Sequence, residues 1–460
     1  MKFRVTLGCA TALACLLSIS DSKASVILDW SEQLLDAIRI SGQAVFMPPD
    51  ATRTAALVHT AMFNATNLAT GKQFQNYELD HAAVPDASAE AAAAQAAYDV
   101  LVGRFAATSS FATLSPLFDA QLAASLGAIA DGAAKTNGIA LGSQMATHIL
   151  DLRANDGATT VVPYTPGQGD TGIFSDPNLI ENGEWRPTGS GDALSPNWPT
   201  VTPWSMIAGD QFRPGGPPAQ DSLEYEEAYN EVKLVGELNS ATRTAVQTEI
   251  ALFWADGPGT ATPGGHWLSL AASLLSTQFD LVLIDESRLL ALMSIALADA
   301  AIVSWDAKYA FHDWRPITGI HEGDTDGNPN TVGDLSWEPL LETPPFPDYT
   351  SGHSTFSGAA STVMAQFFGD DALNFCTESD GLPGVMRCFT HFSDVAEEAG
   401  LSRIFGGIHW HFSKTDGVES GGELGQFVFL TQLRPVPEPA TLGLAALGLI
   451  GLAALRRRTA

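Results

Sequence analysis

Positive charge is scarce in this chain. Its 460 residues carry 23 Lys and Arg against 52 Asp and Glu, a formal net charge of −29. So acidic a surface repels a phosphate backbone, which excludes nucleic acid as a partner. Scarcity also makes any local cluster of cations informative. Cysteine is rarer still: there are four, and Cys9 and Cys15 fall in the first segment, leaving Cys376 and Cys388 in CTESDGLPGVMRC. No Cys-x-x-Cys or matching His spacing accompanies them, so a structural zinc site is excluded. The body of the chain has no uninterrupted apolar run long enough to span a bilayer, which excludes an enzyme built from several membrane-crossing helices. It also lacks an internal repeat and shows little strand alternation. What it does have is 45% hydrophobic residues, enough for a large core.

Both ends read as addresses. MKFRVTLGCATALACLLSIS places Lys2 and Arg4 before an apolar run, and Ser22-Lys23-Ala24 is a small-x-small cleavage site. Residues 1–24 are therefore expected to be a secretory signal peptide. In an exported chain, the close pair Cys376 and Cys388 is expected to form one disulfide. At the other end Val436-Pro437-Glu438-Pro439 precedes an apolar run, Thr441 to Leu455, and then Arg456-Arg457-Arg458. That run is shorter than the roughly 20 residues a span needs. Residues 436–460 resemble the PEP-CTERM sorting signal of Gram-negative bacteria. The resemblance implies export, processing by an exosortase, and delivery to the cell surface or extracellular matrix, with membrane contact only through the tail before processing. An ordinary C-terminal membrane anchor is the alternative.

Between the two ends, residues 25–435 read as a single, mainly α-helical catalytic region of packed bundles. Helical patterning covers 30–70, 86–155, 222–256 and 286–314. Gly/Pro/Trp-rich loops fill 156–220, and PGTATPGGHW is read as a further loop. A long loop over 317–353 leads to three last helices, at 354–368, about 393–406 and 416–432. GDTDGNPNTVGD has the acidic spacing of a calcium loop, but Pro329 sits where an EF-hand requires Gly.

The chemistry-bearing residues fall in three blocks. VSWDAKYAFHDWRPITG spaces Lys308 and Arg315 seven apart, which predicts two cations on one face of an apolar helix. Buried cations need an anion. PPFPDYTSGHSTF sets Ser351, the Gly352 amide and His353 at a helix entrance, where free N–H groups and the dipole favour anions. GLSRIFGGIHWHFSKTDG supplies Arg403 and His409 across a Gly-Gly break. Three cations with such an entrance match a tetrahedral oxyanion. Two histidines allow one to bond its central atom and the other to move protons.

Lys308-x6-Arg315-Pro316, Ser351-Gly352-His353 and Ser402-Arg403-x5-His409 together resemble the signature shared by vanadium-dependent haloperoxidases and type-2 phosphatidic acid phosphatases. The flanking PPFPDYTSGH is closest to the chloroperoxidase branch. The resemblance implies the helical-bundle fold of that family and a vanadate cofactor bonded by His409. Lys308, Arg315, Ser351, Gly352 and Arg403 would hold its oxygens, and His353 would be the acid–base group. It implies hydrogen peroxide and halide as substrates, a hypohalous product and a small organic acceptor. Trp305 and Phe346 match positions that line the halide side of the pocket. Asp256 matches an acidic position that pairs with an active-site arginine. Phosphate fits the same site, so a secreted acid phosphatase working through a phosphohistidine at His409 is the second reading. A non-catalytic surface or matrix protein is the third.

The sequence departs from the family pattern at two positions. Thr350 replaces the usual proline before Ser-Gly-His. Ser413 stands where the family often has an aspartate four residues after the metal-bonding histidine. A serine there can hydrogen-bond the ring but brings no charge to raise its basicity.

Overall fold

The computed structural model describes residues 25–42, 47–164, 183–188 and 192–436. The signal peptide expected at residues 1–24 and all but the first residue of the tail at 436–460 lie outside these. Five helices come first: α1 (Val26–Ser41), α2 (Pro48–Ala69), α3 (Ala89–Phe105), α4 (Phe111–Gly127) and α5 (Ala133–Leu152). After a loop-rich stretch come α6 (Leu223–Val235), α7 (Ala245–Phe253), α8 (Thr262–Thr277), α9 (Leu283–Phe311) and the short α10 (Pro316–His321). The last part holds α11 (Gly352–Phe368), a hairpin of β1 (Ala372–Glu378) and β2 (Met386–His391), α12 (Phe392–Phe405) and α13 (His411–Thr431). The mainly α fold expected from the sequence stands.

Local signals account for many helix starts. Ser25, Ser88 and Ser222 accept backbone N–H groups at the entrances of α1, α3 and α6, and Thr244 with Gln247 makes a reciprocal capping box at α7. α8 corrects the reading of PGTATPGGHW as a loop. Pro263 lies in its first turn, where proline's fixed φ suits a helix and its missing N–H is not needed. The hairpin was not expected either. Its strands are antiparallel with Cys376 opposite Cys388, and the two are joined as a disulfide.

The centre of the body is α9. It is apolar all round and nearly its whole length is buried, as befits a core helix. By length and composition α9 could cross a membrane, but its apolar window is wholly enclosed by the rest of the protein. It packs against α2, which is buried almost throughout, and against α11 and α13. Asp299, buried on α9, accepts the backbone N–H groups of Trp204, Ser205 and Met206 at 2.7, 2.7 and 3.3 Å and so pins that loop to the core helix. A second, smaller core of Tyr225, Tyr229, Trp314, Trp337, Trp410 and neighbours lies beside the end of α9.

α11 and α13 approach more closely than side chains would allow. A Cβ on Gly358 would come within 2.2 Å of the Val418 carbonyl, and one on Gly421 within 2.2 Å of the Thr355 carbonyl. This seam fixes the entrance of α11 against the start of α13. It thereby brings Ser351-Gly352-His353 to His409.

Candidate active site

The ends of several elements converge here. α9 stops at Phe311 because His312 turns left-handed, at φ 51° and ψ 32°. Arg315 then sits in extended backbone, φ −78° and ψ 155°, as the residue before a proline prefers, and it opens α10. The expectation of two cations on one helical face is therefore corrected. Lys308 comes from the last turn of α9 and Arg315 from the start of the next helix, and they meet across the turn.

Lys308 is fully buried. Its ammonium donates to the carbonyls of Pro347 and Asp348, each at 2.9 Å, and to that of Thr350. All three of its protons are thereby engaged, so it holds the loop leading to Ser351 and lends the site charge rather than a free donor. Burial, and then the charge of Arg315, push its pKa well below the usual lysine range.

The two arginines differ from it in having something to spare. Arg315 Nε donates to the Phe346 carbonyl at 2.9 Å, and Nη1 donates to the Ile408 carbonyl at 2.6 Å and to His409 Nε2 at 2.9 Å. Arg403, in the last turn of α12, donates from Nε to Ser402 Oγ and from Nη1 to His353 Nε2, both at 3.1 Å. Both guanidinium groups are buried, and Nη2 of each has no partner. Burial draws each pKa down to about 10, despite the charge of Asp348 near Arg315 and of Asp256 near Arg403.

Those contacts fix the imidazole protons. A guanidinium can only donate, so Nε2 of His409 and Nε2 of His353 are acceptors and carry no hydrogen. The proton of His409 sits on Nδ1, which faces Asp348 Oδ1 at 3.0 Å and Ser413 Oγ at 3.2 Å. Burial and the surrounding cations hold both histidines well below the ordinary imidazole pKa, hence neutral. His353 keeps 17% of its side chain exposed while those of Lys308 and Arg315 are almost wholly buried, so it marks the open edge of the site.

Ser351 caps α11, its Oγ accepting the Ser354 N–H at 3.4 Å. Its own N–H is taken by the Ser413 carbonyl at 3.1 Å. Gly352 leaves little room for anything larger: a Cβ would stand 3.3 Å from the Trp305 ring. Trp305 and Phe346 lie together, ring centroids 5.0 Å apart, with Arg315 over the Phe346 face at 4.8 Å. They form an apolar wall beside the cations.

Two members escaped the sequence reading. Asp348 is fully buried and belongs to the loop that Lys308 grips. The acid missing at position 413 was the signal that a carboxylate had to come from elsewhere. His266, in the PGTATPGGHW stretch read as a loop, is buried on α8 with Nδ1 3.1 Å from Asp256 Oδ1. The other oxygen of Asp256 is 3.8 Å from His353 Nε2. Away from the centre, His411 pairs with Glu231 at 2.8 Å and His321 meets the Trp337 carbonyl at 2.8 Å. His312 stacks on Tyr164.

A helical bundle that gathers Lys308, Arg315 and Arg403, two neutral histidines and a helix entrance is the arrangement that the resemblance to the haloperoxidase and acid phosphatase class implies. Residues 288–436 match the family model described as the VCPO second helical-bundle domain, and residues 435–458 match the PEP-CTERM protein-sorting motif. The vanadium chloroperoxidase of Curvularia inaequalis is 30% identical over 253 residues, which is 42% of this chain and 41% of that protein. The chain thus aligns with about two fifths of that relative's length. The crystal structure of a protein described as the first bacterial vanadium-dependent iodoperoxidase superposes with a TM-score of 0.73 at 27% identity, covering 90% of this chain and 97% of that one. A bacterial vanadium-dependent chloroperoxidase in its holo form shares the fold at 15% identity, with a TM-score of 0.64 over 89% and 97% of the two chains. The resemblance to the vanadium haloperoxidase superfamily, with a PEP-CTERM signal, therefore stands.

Proposed function

We propose that this chain is a vanadate-dependent haloperoxidase that oxidises halide with hydrogen peroxide to a hypohalous species. One observation carries the reading. Arg315 and Arg403 each bury an unpartnered Nη2; Arg315 also donates to the hydrogen-free Nε2 of His409, Arg403 donates to that of His353, and the charge of both arginines bears on His409. Buried donors are rarely left unpaired, and two such groups beside a ring lone pair fit an oxyanion that accepts from the arginines and bonds the ring.

Vanadate held there supplies a Lewis acid that polarises peroxide toward attack by halide. His409 offers it Nε2. Arg315 and Arg403 neutralise and orient its oxygens, and the Ser351 hydroxyl and Gly352 N–H at the entrance of α11 add neutral donors. Lys308 fixes the loop that carries them. His353, at the open edge, takes and returns a proton at Nε2. Trp305 and Phe346 give the halide an apolar wall, and a small organic acceptor receives the product. Residues 25–435 act as one catalytic region. The signal peptide at 1–24 and the tail at 436–460 direct export and exosortase processing, so the working place is the surface or matrix of a Gram-negative cell.

The test strips phosphate from the purified protein, adds orthovanadate, and follows bromination of an organic acceptor with bromide and peroxide. Vanadate-dependent bromination that disappears in His409→Ala is the expected result. Hydrolysis of a phosphate ester without bromination would move the protein to the acid phosphatase side, with His409 as nucleophile. Failure to bind either oxyanion would leave a non-catalytic surface protein.

A further inference from the structure

We propose that Asp348 is the positioning carboxylate of His409, supplying from the loop before Ser351 the negative charge that Ser413 cannot. The inference rests on the reading of His409 as the oxyanion-bonding residue and adds a residue to it. Asp348 Oδ1 lies 3.0 Å from His409 Nδ1 and 3.9 Å from Arg315 Nη1. Asp348 is fully buried, and its carboxylate, which meets no fully aligned donor, has Arg315, Lys308, the Ser413 hydroxyl and the Trp410 N–H acting on it. A buried carboxylate left so poorly satisfied is destabilising unless nearby positive charge or a ring N–H compensates it. Here the compensating charges are Arg315 and then Lys308, with the His409 ring N–H beside them.

The loop is built to hold this carboxylate still. Lys308 grips the backbone carbonyls on both sides of the Asp348 side chain. The Ser413 hydroxyl donates to the Asp348 carbonyl at 3.2 Å while sharing His409 Nδ1. Asp348 and Ser413 therefore face the same ring nitrogen from two segments, and a carboxylate on either would serve it. Charge on the Nδ1 side keeps the proton there, leaves Nε2 bare and raises its basicity toward the oxyanion.

The test has two arms. In the first, nitrogen-15 NMR of the oxyanion-free wild-type protein reads the His409 tautomer directly. Hydrogen on Nδ1 with a bare Nε2 is expected, and hydrogen on Nε2 would overturn the proposal without any variant having to fold. In the second, the binding of orthovanadate alone is titrated calorimetrically. Asp348→Asn should weaken it about 10- to 100-fold, and adding Ser413→Asp to that variant should recover most of the loss. A packing role would not be rescued from position 413. Wild-type-like binding by Asp348→Asn, or no rescue in a folded double variant, would sink the idea. If the wild type binds no orthovanadate, the functional reading fails, while hydrogen on Nε2 would still overturn the role of Asp348 by itself.

Discussion

Oδ2 of Asp256 lies 3.8 Å from Nε2 of His353, at the open edge of the site. Its other oxygen holds His266, whose ring stacks on Trp254 with centroids 4.4 Å apart. One carboxylate thus holds a buried, immobilised imidazole and stands beside His353 without hydrogen-bonding its bare Nε2. It also stands near Arg403, whose charge it favours. Asp256→Asn keeps the shape and removes the charge. Bromination turnover should fall about 10- to 100-fold, the range seen when an orienting carboxylate behind a site residue is lost. Steady-state kinetics on a variant with unchanged melting temperature checks this, and undiminished turnover would remove Asp256 from the site.

The two site histidines should separate binding from turnover. His353→Ala removes the proton carrier but leaves both unpartnered arginine nitrogens. It should lose about 10²- to 10⁴-fold in turnover while still binding orthovanadate. His409→Ala removes the ring lone pair, so orthovanadate affinity itself should collapse. Calorimetric titration beside halogenation assays distinguishes the two, and full activity in both variants would mean the site lies elsewhere.

The three-block site was legible because each block's chemistry is local. A cation near Pro316, a Ser-Gly-His entrance and an Arg/His pair across glycines can each be read from a few residues. Asp348 was not legible, because its partner His409 belongs to a distant segment and only the fold joins them. His266 was missed for the opposite reason: the run Pro263-Gly264-Gly265 looks like a loop, yet Pro263 starts a helix and the glycines let neighbours close in. A Cβ on Gly264 would stand 2.5 Å from the Thr52 side chain. The break between Lys308 and Arg315 depended on the backbone of His312, which composition does not reveal. The hairpin was invisible to alternation because most of its residues are exposed or half-exposed.

The glycine seam makes a stability prediction with a functional consequence. At Gly421 an added methyl meets the Thr355 carbonyl, a backbone atom that cannot swing aside. Gly421→Ala should destabilise the protein by about 1–3 kcal/mol, the usual cost of overpacking. Separation of α11 from α13 should also lower oxyanion affinity, since Ser351 and Ser413 lie on opposite sides of that seam. Urea unfolding with orthovanadate titration tests both, and a neutral variant would show the seam to be loose.

The disulfide braces more than its own hairpin. Beyond β1, Ser379 donates to the Phe253 carbonyl, and Asp380 accepts the Ala261 N–H at 2.9 Å. These contacts bracket the segment that carries Asp256. Replacing Cys376 and Cys388 with alanine removes a short cross-linked loop, worth about 3 kcal/mol in the unfolded chain. Unfolding curves should shift by that order, and reductant should shift the wild type alike. Superposed curves with and without reductant would contradict the prediction.

A last prediction concerns pH and a histidine outside the site. His59, fully buried between α2 and α9, bonds Ser294 Oγ through Nδ1 at 2.7 Å, and burial pulls its pKa down to about 3. An unfolded histidine titrates near 6.5. Below that value the unfolded chain binds a proton that the folded chain refuses, so stability falls as pH drops. The loss runs at about 1.4 kcal/mol per pH unit down to the folded pKa. His59→Asn keeps a polar partner for Ser294 and has nothing to titrate. Between pH 6 and pH 4 its stability should therefore fall less steeply than the wild type's by about one proton, roughly 2–3 kcal/mol over the interval. Urea unfolding at several pH values measures the two slopes, and parallel slopes would mean that His59 is protonated in the folded protein.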